Sequence, residues 1–79
     1  MKKFENVVGF TFFGILEEEY HSDGGWIQYL PAKEDVLVVF RNDKNERGEI
    51  KLKAGETLEF TPTAYDFEKR QSIGELTIR

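Results

Sequence analysis

Apolar and polar residues alternate with a period of two along much of the chain, which is typical of β-strands with one buried face. Residues 49–53 and 57–61 alternate in this way, and the second run places Leu58 and Phe60 on one face. Residues 36–41 are mostly apolar on both faces, which predicts a strand that is covered on both sides or exposes one face to a partner. Because no long segment has apolar residues at helical spacing, we expect no substantial helix.

Three further runs complete a set of short strands. Residues 7–16 are rich in β-branched and aromatic side chains, and they predict one long bent strand or two short ones, since Gly9 and Gly14 permit bending. Residues 26–30 and 72–78 are the other strands. The polar segments, which we expect to be connections and loops, are residues 17–24, 31–35, 42–48 and 62–71. This spacing of strands and turns predicts a closed or nearly closed antiparallel barrel.

Composition limits the classes of function. The chain has 79 residues, enough for one domain, and no cysteine, so packing must stabilise it without disulfides or a cysteine-based zinc site. A net charge of −4 disfavours tight binding to duplex DNA but permits single-strand binding, in which aromatic stacking contributes much of the affinity. The lack of a signal-peptide pattern and of a long apolar run predicts a cytoplasmic protein.

Four segments, in this order, resemble the motifs of the cold-shock domain family. Residues 14–16 resemble its first-strand Gly-x-Val, and residues 25–27 resemble the Gly-Phe-Ile of its first ribonucleoprotein motif. Residues 35–40 resemble Asp-Val-Phe-Val-His-Phe, the second motif, and residues 52–60 resemble Leu-x-x-Gly-x-x-Val-x-Phe. The resemblance implies an all-β fold, a small five-stranded antiparallel OB-fold-like barrel over residues 14–79, to which residues 1–13 add an N-terminal strand extension.

The departures from the family pattern fall on its binding face, where exposed aromatic residues stack unpaired bases. Two aromatic positions fall on Gly24 and Leu37, and the histidine position falls on Val39. Trp26 alone keeps an aromatic ring in place. Each stacked base contributes about 1–3 kcal/mol, so the loss of these rings weakens the binding of unpaired bases. The chain therefore resembles a degenerate member of the family. That resemblance implies a weak nucleic-acid binder or a protein-contacting module.

Two alternatives stay open for the exterior of the barrel. Trp26 is either a base-stacking platform or a half-buried packing residue. If residues 36, 38 and 40 face the interior, alternation sends Leu37 and Val39 outward beside Trp26. They then form an apolar docking patch, unless the N-terminal segment around Phe10 and Phe12 folds over them.

Charged and aromatic residues outside the motifs supply further candidates. Lys51 and Lys53 belong to a basic concentration that either steers a phosphate backbone or only favours solubility. Tyr65 and Phe67 in the last loop are candidates for auxiliary stacking or for plugging one end of the barrel. The residues that we expect to bind nucleic acid or a partner are Trp26, Gln28, Leu37, Val39, Lys51, Lys53, Tyr65 and Phe67.

Catalysis and metal binding have little support. His21 is the single imidazole, and without other ligands we interpret it as a solvated loop residue. The acidic run of residues 17–19, with Asp23, either holds a cation or mimics phosphate charge, or is a solvated strand edge. The sequence has no nucleophile beside a base, no phosphate-binding loop and no dinucleotide fingerprint, so we expect neither an enzyme nor a cofactor.

Two hypotheses from different classes follow. The first is weak, low-specificity binding of single-stranded RNA or DNA by a degenerate cold-shock-like barrel. The second is a non-catalytic protein-interaction module, regulatory or inhibitory, that has lost nucleic-acid binding. We expect a monomer, or a weak homodimer that forms through the strand of residues 7–16.

Overall fold

The computed structural model describes residues 2–20 and 25–79, and of Tyr20 the backbone alone. These residues form strands and turns and no α-helix, which confirms the predicted all-β class. The strands are β1 (Lys2–Phe13), β2 (Glu18–Tyr20), β3 (Ile27–Tyr29), β4 (Val36–Asn42), β5 (Arg47–Leu52), β6 (Leu58–Asp66) and β7 (Gln71–Ile78). Within the described ranges, no helix is long and apolar enough to cross a membrane.

The strands form one antiparallel sheet in the order β2-β3-β6-β7-β1-β4-β5. Phe12 on β1 and Tyr29 on β3 are in ring contact, with centroids 5.3 Å apart, although β6 and β7 lie between their strands. The sheet therefore curves around its core. We expected five strands closed into a barrel, whereas the described residues form seven strands in a sheet that is not closed, with β2 and β5 at its two edges.

Strand β1 occupies an interior position in this sheet. Its first half pairs with β7, from Lys2 opposite Ile78, and its second half pairs with β4, up to Phe13 opposite Leu37. The change of partner coincides with register shifts on both sides and with Asn6, whose φ of 57° bends the strand. We expected residues 1–13 to add an N-terminal strand extension, and residues 2–13 form a strand that lies between β7 and β4 in the sheet.

Alternating side chains on the concave side of the sheet form the core. The buried apolar residues are Val7, Tyr29, Ala32, Val36, Val38, Ile50, Leu52, Leu58, Leu76 and Ile78. Phenylalanine rings surround them, and Phe10 contacts Phe60 at 5.4 Å while Phe4 contacts Phe40 at 4.9 Å. Because burial alternates along β4, the odd-numbered residues of that strand face outward.

Two segments predicted to be polar loops are strands. β6 continues through Pro62 to Asp66, because a register shift between Pro62 and Ala64 accommodates the missing N–H of proline. Tyr65 therefore lies on a strand and not in a loop. Glu18 to Tyr20 form the short edge strand β2, which pairs with β3 despite its acidic sequence.

Candidate nucleic-acid interface

The outer face of β1, β4 and β5 is built from three cross-strand rows. The rows are Phe13 with Leu37 and Lys51, Thr11 with Val39 and Glu49, and Gly9 with Arg41 and Arg47. The first row is mainly apolar, and the third carries two guanidinium groups. The face therefore changes from apolar to cationic over three rows of paired residues.

An open groove of about 350 Å³ lies at the cationic end of this face. Its lining residues are Gly9, Phe10, Thr11, Val39, Phe40, Arg41 and Arg47. A smaller depression of about 140 Å³ is lined by Val8, Arg41, Asn42, Asp43, Asn45, Lys69 and Gln71. Since Arg41 lines both, the two depressions adjoin at this side chain. We call the two together the cationic groove.

The two arginines of the cationic groove lie directly opposite each other on β4 and β5. Arg41 Nη1 donates a hydrogen bond to Asn45 Oδ1 at 3.3 Å, so this partner is a neutral amide. Arg47 Nη2 lies 4.0 Å from Glu49 Oε1, at the limit of an exposed ion pair. The side chains that line the groove include three basic residues, Arg41, Arg47 and Lys69, and one acidic residue, Asp43, so its lining carries a net positive charge.

The turn between β4 and β5 holds these arginines in place. Asn42 Oδ1 accepts hydrogen bonds from the backbone N–H of Lys44 at 3.0 Å and of Glu46 at 2.9 Å. Asn42 Nδ2 also donates to Glu46 Oε1 at 3.0 Å. Asn45 has a φ of 63°, a conformation that asparagine tolerates in turns. The segment expected to be a flexible loop is therefore a short, hydrogen-bonded turn.

An exposed aromatic pair lies at the tip of the β6–β7 hairpin. The rings of Tyr65 and Phe67 are 4.9 Å apart at an interplanar angle of 75°, and the residues are 49% and 82% exposed. Asp66 Oδ1 accepts hydrogen bonds from the N–H groups of Glu68 and Lys69, which fixes the turn. Lys69 also lines the cationic groove, so this hairpin brings its tip towards Arg41.

The structure brings three of the predicted binding residues together. Leu37 and Val39 face outward on β4 as alternation predicted, and Lys51 lies opposite Leu37. Phe10 and Phe12 pack on the core side and do not cover them. Lys53 is exposed just beyond the end of β5.

Trp26 and Gln28 lie in a different part of the sheet. Trp26 precedes β3, and β6, β7 and β1 separate that strand from β4, which carries Leu37 and Val39. Gln28 pairs with Glu59 on one side and Glu19 on the other. The strands that follow Trp26 and contain Leu37 were expected to be neighbours, and this was wrong because β3 and β4 are consecutive along the chain but not in the sheet order.

Two important residues of this outer face, Arg41 and Phe13, were not among the predicted contacts. Arg41 has the same outward parity as Leu37 and Val39, so the alternation of β4 could have identified it. Phe13 faces Leu37 only because β1 pairs with β4, and no local pattern reveals that pairing.

Glu17, Glu18 and Glu19 are exposed at the β2 edge of the sheet, and Glu17 Oε1 lies 3.4 Å from Lys33 Nζ. Across residues 2–20 and 25–79, no group of three or more histidine, cysteine or acidic residues could hold a metal ion. His21, Asp23 and Gly24 lie outside the described residues.

We compared the chain with models of protein families, with curated proteins and with solved structures, and none of the three comparisons found a match.

Proposed function

We propose that this protein binds single-stranded nucleic acid, weakly and with little sequence preference, in the cationic groove. The observation that carries the proposal is the direct opposition of Arg41 and Arg47 beside the outward Val39. Guanidinium groups bind phosphate oxygens in a bidentate manner and stack on planar rings. The adjoining apolar row can contact unpaired bases, so one face offers partners for both parts of a nucleotide.

The distribution of charge favours a single strand over a duplex. Residues 36–53 contain five basic and three acidic residues, although the whole chain has a net charge of −4. The positive surface is therefore local, and the acidic remainder repels a second phosphate backbone. A protein with so few phosphate contacts has low affinity and loses it as salt is added.

This mode of binding does not require the stacking face of a cold-shock domain. Trp26 directly precedes β3, where Gln28 lies between Glu19 of β2 and Glu59 of β6, and these carboxylates disfavour phosphate. Val39 lines the proposed site, and Leu37 and Lys51 lie on the same face of the sheet. A degenerate cold-shock-like barrel remains our interpretation of the motif order. The seven-stranded sheet supports the proposal through its outer face and not through that resemblance.

The test is titration of a fluorescently labelled thymidine dodecamer, followed by anisotropy at low and physiological salt. We expect the double variant Arg41→Thr/Arg47→Thr to bind about tenfold or more weakly, because it removes two phosphate contacts. Lys33→Gln is the matched control, since it removes one charge outside the groove. Absence of binding at high micromolar protein and low salt, or equal binding by the double variant, would overturn the proposal.

A second candidate function rests on a separate apolar patch. Phe13, Ile15 and Leu37 are 60%, 73% and 39% exposed, and Phe13 lies directly opposite Leu37. Exposed apolar clusters of this kind often mark protein interfaces. If the protein is an interaction module, Leu37→Asp abolishes recovery of a partner while the fold stays intact. Retention on a single-stranded-DNA column at low salt separates this function from the first.

A further inference from the structure

We infer that the tip of the β6–β7 hairpin stacks an unpaired base of the strand held in the cationic groove. This inference rests on the proposed function and adds to it the element that recognises bases. The residues concerned are Tyr65 and Phe67, with Lys69 connecting them to Arg41.

The exposure of the two rings is the first argument. Phe67 is 82% exposed at the end of a hairpin, so it contributes little to the core. The rings meet at 75°, an edge-to-face arrangement in which the edge of one ring covers one face of the other. The remaining ring faces are available, and any of the four bases can stack on them.

The rigidity of the tip is the second argument. Tyr65 pairs with Ser72 and Asp66 pairs with Gln71, so the strands stay paired up to the turn. Two hydrogen bonds to Asp66 Oδ1, at 3.0 and 3.2 Å, then hold the turn itself. A platform that is ordered before binding loses less entropy when a base docks on it.

The connection to the groove is the third argument. Lys69 follows Phe67 by two residues and lines the same depression as Arg41, where two cations meet one carboxylate, that of Asp43. A phosphate bound between Lys69 and Arg41 therefore places the adjoining nucleotide at the hairpin tip. The turn itself carries Arg70 as a second cation beside the acidic Asp66 and Glu68. Charge and aromatic surface meet at this end of the groove, as single-strand binding requires.

The experiment compares two ligands of equal charge, a thymidine dodecamer and a dodecamer of abasic sites. We expect Phe67→Ala to weaken binding of the thymidine strand about 5- to 150-fold, the equivalent of losing one stacked base. Binding of the abasic strand should not change. Phe67→Leu keeps apolar bulk without a ring and should behave like Phe67→Ala, whereas Tyr65→Phe keeps both rings and should bind normally.

The controls separate this inference from the proposed function. Arg41→Thr should weaken both ligands, because it removes a phosphate contact. If wild-type protein binds thymidine and abasic strands equally, or if Phe67→Ala weakens both to the same extent, the stacking role is overturned while the groove stands. If neither ligand binds at low salt, both proposals fail. Circular dichroism of each variant checks that the fold persists.

Discussion

Arg41 on β4 lies directly opposite Arg47 on β5, with both side chains on the exposed face. Like charges at directly opposed positions destabilise a sheet by about 0.2–1 kcal/mol. We therefore expect Arg47→Thr to raise the free energy of unfolding by this order, since threonine also favours strands. Urea denaturation of wild-type and variant protein measures the difference.

The same variant should bind oligonucleotide less tightly and with a smaller dependence on salt. The control is Lys33→Gln, which removes an exposed ion pair with Glu17 and should change stability by less than about 1 kcal/mol. A lower unfolding free energy for Arg47→Thr would contradict the repulsion and indicate that the arginine contributes packing.

Arg70 presents a related conflict between stability and binding. Its φ of 53° lies in the left-handed region, which costs a non-glycine residue about 1–2 kcal/mol. We expect Arg70→Gly to stabilise the protein by up to about 1 kcal/mol, because glycine adopts this conformation freely. The same change should weaken oligonucleotide binding by removing a cation from the hairpin tip.

Lys69→Gly is the matched control for Arg70→Gly, because Lys69 carries the same charge without a positive φ. It should lower the melting temperature, whereas Arg70→Gly should raise it. Equal shifts of the melting temperature in the two variants would contradict backbone strain at Arg70 as the cause of the stabilisation.

Leucines on opposite faces of the sheet should respond differently to the same substitution. Leu52 is fully buried and Leu37 is outward and exposed. Leu52→Ala should cost about 2–5 kcal/mol through lost burial and a cavity, which is a large part of the stability of a small domain. Leu37→Ala should cost less than about 1 kcal/mol. Similar losses in chemical denaturation would contradict the assignment of the two faces.

Gly74 and Gly9 differ in the space that is available for a side chain. A Cβ added at Gly74 would lie 2.5 Å from the backbone oxygen of Thr61, whereas one added at Gly9 meets nothing within 4 Å. Gly74→Ala should therefore destabilise the protein by about 1–3 kcal/mol, as overpacking does. Gly9→Ala should be neutral or slightly stabilising in thermal unfolding.

The pH dependence of stability should change at alkaline pH because of Tyr29. Burial, and secondly the charge of Glu18, raise the pKa of its hydroxyl above the usual 10.0. The folded state then holds this proton more tightly than the unfolded state does. The contribution of Tyr29 to the free energy of unfolding is therefore complete below about pH 10, and it is lost as the pH rises through the higher folded-state pKa.

Tyr29→Phe removes this contribution while keeping the ring contacts with Phe10 and Phe12. The difference in unfolding free energy between wild type and variant should be constant from about pH 6 to 8. Above about pH 10 the wild type should lose stability relative to the variant. A constant difference up to pH 11 would contradict the raised pKa.

The sequence predicted local features of this fold better than its long-range pairing. Local residue patterns identified β4, β5 and β7, and the parity of β4 predicted the outward direction of Leu37 and Val39. The prediction ended β6 too early, because proline commonly ends a hydrogen-bonded β-ladder, whereas here Pro62 coincides with a bulge. It missed β2, whose acidic residues pair through the backbone.

The candidate site depended on strand order, which local patterns do not contain. Trp26 was expected beside Leu37 because their strands are consecutive among the predicted ones, but β6, β7 and β1 come between β3 and β4. The groove needs Gly9 beside Arg41, and that neighbour relation exists only after β1 has paired with β4. Pairing at this sequence separation is a property of the whole fold.

The divided pairing of β1 has a consequence for the order of events during synthesis. Its first half finds its partner only in β7, since Lys2 and Phe4 lie opposite Ile78 and Leu76. A nascent chain that still lacks β7 leaves one side of this aromatic-rich strand open, and open strand edges promote aggregation. Folding of this protein must therefore be completed after translation of β7, and we expect contacts of such long sequence separation to make it slow.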